Sequence, residues 1–528
     1  MQPQYLRPEV VVEPLVHHWY AIPHLLPPQS ASLKFAFKFL PLLRSFAGSP
    51  KLHAQALQNP AMSGGAFVAI DPARVEEIRG LIESTESSLA ELLALGKALR
   101  ELDALLQTEQ SGESLEPLYP KVPSRLRGYV ELVHDLKHRP GMRPLEGLLY
   151  KSPYYAERHQ QLSFSIPATE QRAFAQTTPR LAGPDRLVCA VPFRDPALDA
   201  LFDLRWRPGA VDPVADAIGL APADRERFHA LFTETPPAPR PRYEGPGVRV
   251  RYGGHSCVLF ETREGAVLTD PTLPSAFEGG PARFTFADLP ERIDAVVLSH
   301  AHPDHVWIES LLQLRARVGT VFVPKSGGNL VDPSLALLLR TLGFQDVREL
   351  DECEEAALPG GTLTSVPALG EHADLPIRTK HSMWFRFGKS AFLLTGDANM
   401  PEPTLYQHLR THYGAPDVLF LGMEATGAPM SWGYGEFFSA PPPRKIDQSR
   451  RLNSVDFERA AQLVDLLQPK EVYVYAMGRE PWTAHLMGMD QDEKLPHMVG
   501  STRLVEHCRQ RGLTADRPFG RMEREYGA

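Results

Sequence analysis

The sequence predicts an α/β protein: a sandwich of two sheets with covering helices in its C-terminal half, preceded by a large mixed α+β domain. Three observations predict it. Beyond Val248, short apolar strands alternate with helix-length stretches, the texture of layered α/β folds. Between Thr235 and Gly247 lie five prolines, Pro236, Pro237, Pro239, Pro241 and Pro246, a stiff segment that continues neither a helix nor a central strand. The apolar run Val296-Val297-Leu298 ends in Ser299-His300-Ala301-His302-Pro303-Asp304-His305, a density of ligand-type side chains suited to metal binding where a strand stops. The expected organisation is an N-terminal domain over 1–234, a proline-rich linker over 235–247, and a dinuclear metal domain over 248–528.

Bulk properties narrow the classes. A chain of 528 residues is too long for one ordinary domain. Hydrophobic content of 43% and charged content of 23% belong to soluble globular proteins. A net charge of −8 leaves no basic excess for a nucleic-acid partner. Cys189, Cys257, Cys353 and Cys508 are scattered singly and read as small buried hydrophobes in a reducing compartment. The N-terminus lacks a signal-peptide pattern, and no apolar run approaches the ~20 residues needed to span a bilayer. A cytoplasmic protein with no membrane partner is expected.

Residues 1 to 70 are mixed and aromatic-rich, with Trp19, Tyr20, Phe35, Phe37 and Phe39. Asp71-Pro72 reads as a helix cap followed by proline at the first helical position. In the next helix Leu89, Leu92, Leu93, Leu99, Leu102 and Leu106 recur at three- and four-residue steps, a stripe for the core or for a partner or dimer contact. Strands are expected at 162–166 and 187–191. After the linker come strands at 248–252, 257–260, 266–271, 294–299, 320–323, 391–395, 417–421 and 471–475. Helices are expected at 304–317, 333–342 and 454–468, the last starting at Ser454 and ending before Pro469.

His300 and His302, one residue apart, can point to one side of a loop, while Asp304 and His305 open the next helix and face a second centre. One metal cannot easily use all four; two adjacent metals can. A second apolar strand, Phe392-Leu393-Leu394, ends in Thr395-Gly396-Asp397, so Asp397 can bridge the pair. Gly370-Glu371-His372 offers one more ligand, either Glu371 or His372, with the other supporting it or unrelated to the site.

This motif order resembles the metallo-β-lactamase superfamily, whose first, structural aspartate matches Asp270 in Leu268-Thr269-Asp270-Pro271. The resemblance implies an αβ/βα sandwich with a dinuclear site at the sheet edges. Superfamily hydrolases place a histidine directly after the glycine of the third motif, where this chain has Glu371. A carboxylate there adds charge and a harder oxygen ligand, which suits iron better than zinc. With the long N-terminal domain, the Glu variant resembles the diiron β-hydroxylase family of chloramphenicol biosynthesis, over nearly the whole chain. Leu6 to Pro14, Gly422-Met423-Glu424 and Ala476 to Trp482 also carry that resemblance.

The resemblance implies an O2-dependent diiron monooxygenase that β-hydroxylates an aminoacyl group held as a thioester on a nonribosomal peptide synthetase carrier domain. It would place two iron ions: one on His300, His302 and Glu371, the other on Asp304 and His305, with Asp397 bridging. The superfamily's late histidine has His485 as its candidate. Glu424, after an apolar strand, either faces the cleft, hydrogen-bonding an iron ligand or the substrate amine, or is an ordinary solvated loop glutamate. Trp432, Tyr434, Phe437 and Phe438 wall a pocket or pack the loop, and His255 is structural or supports a ligand. Arg444, Lys445, Arg450 and Arg451 form a basic loop, either solvated or suited to an anionic carrier arm. An electron donor is implied. The N-terminal domain would serve carrier contact, a homodimer interface, or both. The alternative is a dinuclear zinc hydrolase acting on a thioester, amide or phosphodiester.

Overall fold

The computed structural model describes residues 3–527 except 110, 239, 241, 425 and 489–491. Two seven-stranded sheets face each other. One takes the spatial order Asp346–Leu350, Val318–Pro324, Ile293–Val297, Ala266–Thr269, Val258–Glu261, Val248–Tyr252, Met522–Tyr526. The other runs Glu355–Leu358, Gly361–Val366, Ser382–Phe387, Ser390–Leu394, Val418–Gly422, Glu471–Tyr475, Thr514–Asp516. Alternation sets the faces. Val248, Val250 and Tyr252 turn into the space between the sheets beside Phe260, Phe385 and Phe392. Arg249 and Arg251 turn out and share Glu261 Oε2 at 3.0 and 2.9 Å. Helices cover the outer faces, as Leu463 and Leu504 do over Leu419 and Val472.

The N-terminal part holds a four-stranded sheet, Trp19–Tyr20, Val11–Val16, Gln160–Ser165, Leu187–Ala190. A helical run from Pro28 to Gly48 contains a π turn over Phe35–Phe39. Pro41 accounts for it: without an N–H, proline cannot continue the α-helical ladder, and the Leu40 N–H bonds Phe35 O instead. Asp71 caps Pro72–Arg74 ahead of the helix Val75–Ser88. The leucine stripe lies on Ala90–Thr108 and is buried within the chain. There Gly96 lies against the helix Pro28–Lys34, where a Cβ would sit 2.6 Å from Ser32 O. The stripe is therefore core, not a free partner face.

Other expectations are corrected. The helix expected from 304 begins at Ile308. Residues 302–306 instead form a turn in which the Val306 N–H bonds His302 O at 2.9 Å. The helix Phe457–Leu467 is capped by Asp456, not Ser454; the Ser454 hydroxyl serves the Glu424 N–H. Cys353 is exposed, while the other three cysteines are buried, and all four are free. Pro236, Pro237 and Pro246 lie in a stretch without helix or strand; Pro239 and Pro241 fall outside the described residues. Among the described residues, no helix is long and apolar enough to cross a membrane.

Buried charges join the N-terminal part to the sandwich. Glu13, on Val11–Val16, accepts from Arg180 Nε at 3.1 Å and lies 3.4 Å from Arg172 Nη1. Burial opposes its ionisation, but Arg180, Arg186 and Arg172 hold its carboxyl far below the usual range. Arg172 also donates to Glu309 at 2.7 Å, and Tyr20 donates to Glu309 at 2.9 Å. Glu309 is the second residue of the helix that follows the histidine turn.

Candidate metal centre

The histidine turn, the Glu371 loop and the Asp397 turn meet at one edge of the sandwich. Ile293–Val297 and Ser390–Leu394 lie in different sheets, and each carries its ligands just past its C-terminal end, where open α/β sheets place their sites. Gly370 makes the third approach possible. Its φ is +78°, and a Cβ there would meet Asn399 Cβ at 2.5 Å. Glu371 itself has φ +69°, an unfavourable conformation for a side-chain-bearing residue, of the kind that collects at functional sites.

Potential donor atoms gather into three overlapping sets: His300, His302 and Glu371; His300, His305 and Asp397; His255, Asp304 and His305. In the first, His302 Nδ1 lies 2.5 Å and His300 Nε2 4.0 Å from Glu371 Oε1. In the second, His305 Nε2 lies 3.4 Å from Asp397 Oδ2; it is also 3.7 Å from Asp304 Oδ2.

Hydrogen bonds behind the rings decide which nitrogen faces the pocket. Asp270, buried with φ +33°, accepts the Ser299 N–H at 2.8 Å and the Ser299 hydroxyl at 2.6 Å. It also takes His305 Nδ1 at 2.9 Å, so the His305 Nε2 lone pair turns to the carboxylates. With its proton committed to Asp270, Ser299 Oγ accepts from His300 Nδ1 at 3.0 Å, which leaves His300 Nε2 as the free lone pair. His255 is set the other way. Its Nδ1 accepts the Gly478 N–H at 3.1 Å, so its proton sits on Nε2 and points at Asp304 Oδ2, 3.1 Å away. His255 therefore holds Asp304 and is not itself a donor to metal.

Electrostatics match this division. Burial, then the neighbouring His305, pushes His300 well below the usual imidazole value, toward the neutral form that can bind metal. Burial opposes charge on Glu371, but His302, His372 and His300 hold its carboxyl well below the usual range. For His305, burial is likewise outweighed, by Asp397 and Asp304; two carboxylates against one ring call for a cation between them.

Three other candidate residues belong to no donor set. His485 belongs to none of the donor sets. It packs edge-on against Tyr20 and Trp307, its Nδ1 on Trp482 O at 3.0 Å. Glu424 accepts the Gly427 N–H at 3.0 Å and lies 3.4 Å from His497 Nε2. His372 also stays outside the sets; its Nε2 approaches Glu371 Oε2 at 2.7 Å. Tyr434, expected to wall a pocket or pack its loop, brings its hydroxyl to His302 Nε2 at 3.1 Å and His372 Nδ1 at 2.9 Å. Its signal in the sequence was the aromatic arm following an apolar strand, with nothing to single out the tyrosine.

Two adjoining buried pockets of imidazole and carboxylate, at the edge of paired sheets, define a dinuclear metalloenzyme. The residues fit a pair of iron ions. Among the described residues, His300 Nε2, His305 Nε2, His372 Nε2 and Asp397 Oδ1 are buried with no hydrogen-bond partner, a costly state; of these, the atoms of His300, His305 and Asp397 fall in one donor set, where a metal would relieve it. Mixed nitrogen and hard oxygen donors suit iron.

The β-lactamase superfamily domain profile matches residues 266–475, and that of the diiron non-heme β-hydroxylase N-terminal domain matches residues 5–236. The 4-amino-L-phenylalanyl-[CmlP-peptidyl-carrier-protein] 3-hydroxylase of Streptomyces venezuelae is 40% identical over 520 residues, 97% of this chain and 98% of that one. The crystal structure of CmlA, a diiron β-hydroxylase from Streptomyces venezuelae, matches with a TM-score of 0.93 at 38% identity, covering 100% of both chains. A CmlA variant with aspartate for one glutamate matches at 0.91 and 38%, over 99% of this chain and 100% of that one. The chain belongs to the diiron non-haem β-hydroxylase family. It is a hydroxylase with two iron ions as cofactor and O2 as co-substrate, and the zinc hydrolase alternative is not favoured.

Proposed function

We propose that the enzyme β-hydroxylates an aminoacyl group carried as a thioester on a peptidyl carrier domain of a nonribosomal peptide synthetase. His300, His302 and Glu371 would hold one iron, Asp304 and His305 the other, and Asp397 would bridge them. The observation that carries this reading is the glutamate at 371, set against His302 and His300, in a chain that matches a carrier-dependent hydroxylase from end to end. The irons, when bound, supply the reduction of O2 and the removal of hydrogen from carbon. The protein's own residues orient and shield. Asp270 and Ser299 fix His305 and His300, His255 fixes Asp304, and burial of His300, His305 and Glu371 excludes water. Glu424, half-buried beyond the strand Val418–Gly422, is assigned to the substrate side and not to the metals.

The division into an N-terminal domain over 1–234, a linker and a metal domain over 248–528 belongs to the same reading, as do a cytoplasmic location, an electron donor and a homodimer. For the carrier, the helix Arg444–Ser449 is the supporting surface. Arg444, Lys445 and Ile446 are exposed, and Arg450 just beyond donates to Ala373 O at 2.8 Å, two residues from Glu371. A phosphate-bearing arm docked there would lie beside the loop that carries Glu371. The test is incubation of the iron-loaded enzyme with reductant, O2 and a panel of aminoacyl-loaded carrier domains. The expected result is a gain of one oxygen atom on one loaded carrier; hydrolysis of the thioester without oxygen uptake would refute the reading.

A further inference from the structure

Two side chains at the centre have a role that the ligand set does not explain. Tyr434 is wholly buried, and its hydroxyl lies between His302 Nε2 and His372 Nδ1. Beyond it, His372 Nε2 stands 2.7 Å from Glu371 Oε2, the oxygen turned away from His302, while His302 Nδ1 stands at Glu371 Oε1. His302, Tyr434, His372 and Glu371 thus close a loop.

A phenol has one proton to donate, and that limits the loop to one arrangement. With the Nδ1 lone pair of His302 turned to the pocket, its Nε2 carries the proton and donates to the Tyr434 oxygen. The phenol proton then goes to His372 Nδ1. His372 keeps its own proton on Nε2, which stands 2.7 Å from Glu371 Oε2 as a close charge contact without hydrogen-bond alignment. Glu371 is left with Oε1 toward the donors and Oε2 beside His372.

We propose that Tyr434 and His372 are positioning residues for the iron bound by Glu371: Tyr434 fixes the tautomer and tilt of His302, and His372, locked by the same phenol, engages the outer oxygen of Glu371. Neither touches metal. Support behind a ligand of this kind is worth 10–100-fold in metal affinity or activity.

The arm that carries Tyr434 is held by the N-terminal part of the chain. Glu436, two residues on, forms a buried ion pair with Lys34, and Arg100 Nη2 donates to Glu436 O at 2.9 Å. Trp432 Nε1 donates to Gly64 O at 3.1 Å. The positioning loop is thus anchored from outside the sandwich.

The proposal rests on the ligand assignment above and is independent of the carrier substrate. Full-length Tyr434→Phe, His372→Ala and His372→Gln would be loaded anaerobically with iron(II) and followed for iron loss to a chelator. Mössbauer spectra and thermal midpoints would be taken on the same samples. The expected result is two irons per chain and an unshifted midpoint, with one iron leaving about tenfold faster in Tyr434→Phe and His372→Ala and its quadrupole doublet changed. His372→Gln, which keeps a donor for Glu371, should recover part of the retention; because it perturbs the loop from the other side, it also carries the test should Tyr434→Phe melt early. Wild-type loss rates and spectra in these variants would overturn the proposal. So would one iron fewer at saturation in His372→Ala, since His372 would then be a ligand. If Glu371→Ala retained both irons at the wild-type rate, the ligand assignment and not the loop would be at fault.

Discussion

Glu146→Gln should stabilise the protein above neutral pH and leave it unchanged in acid. Glu146 opens a short helix in the N-terminal part, is buried, and accepts the Ser334 N–H of the sandwich at 3.0 Å. Burial pushes its carboxyl up from 4.5 to about 7. Between those values the folded protein keeps a proton that the unfolded chain has released, so stability falls as pH rises through that window. A gap of this size corresponds to about 3 kcal/mol, present in full below the lower value and lost above the upper one. Glutamine keeps the carbonyl that Ser334 needs and does not titrate. Urea unfolding of both proteins across the window, read by fluorescence and circular dichroism together so that domain-wise unfolding is detected, should show profiles that coincide in acid. They should then diverge, with the variant more stable above pH 7. Parallel profiles would refute the assignment of the buried proton to Glu146.

Other perturbations test the centre. Asp397→Asn removes the carboxylate proposed to bridge the irons and should lower bound iron below two per chain and hydroxylation by at least about a hundredfold, by metal analysis and product mass. Glu371→His would restore the histidine typical of zinc hydrolases; hydroxylation should be lost while a metal, read by elemental analysis, is still retained. Lys34→Met leaves the buried Glu436 carboxylate with only Lys38, 3.9 Å away. It should destabilise the fold by about 3 kcal/mol in denaturant titrations and speed iron loss through the Tyr434 arm. Arg444→Glu with Lys445→Glu should raise KM for a loaded carrier about tenfold with kcat unchanged, and salt should narrow the difference.

The sandwich was legible because its strands are written as short apolar runs with clear stops, and because ligands crowd the ends of two of them. His300, His302, Asp304, His305, Glu371 and Asp397 needed only local spacing and motif order to be singled out as candidate ligands. The turn at Pro303 was not legible as such. Asp304 ahead of the apolar positions Val306, Trp307, Ile308, Leu311 and Leu312 suggests that the helix starts earlier, whereas the chain first turns His300, His302, Asp304 and His305 toward one edge. Tyr434, His255 and the role of His372 required three dimensions, since each acts through a partner at least 49 residues away. The closing strand Met522–Tyr526 pairs with Val248–Tyr252, a register set by a neighbour some 270 residues earlier that no local pattern announces.

The distribution of buried charge explains why the sandwich carries so large an N-terminal part. Glu309 lies directly behind the ligand turn and is neutralised by Arg172 and hydrogen-bonded by Tyr20, both from outside the sandwich. Glu436 lies directly beyond Tyr434 and is neutralised by Lys34, also from outside. Remove the N-terminal part and two carboxylates flanking the metal centre lose their counter-charges. Each would then have to protonate or draw water into its site, at a cost of several kcal/mol. Residues 248–528 alone should therefore fail to assemble an ordered ligand turn, even though every proposed ligand is theirs. The N-terminal part thus supplies the counter-charges of two carboxylates that adjoin the histidine turn and the Tyr434 arm.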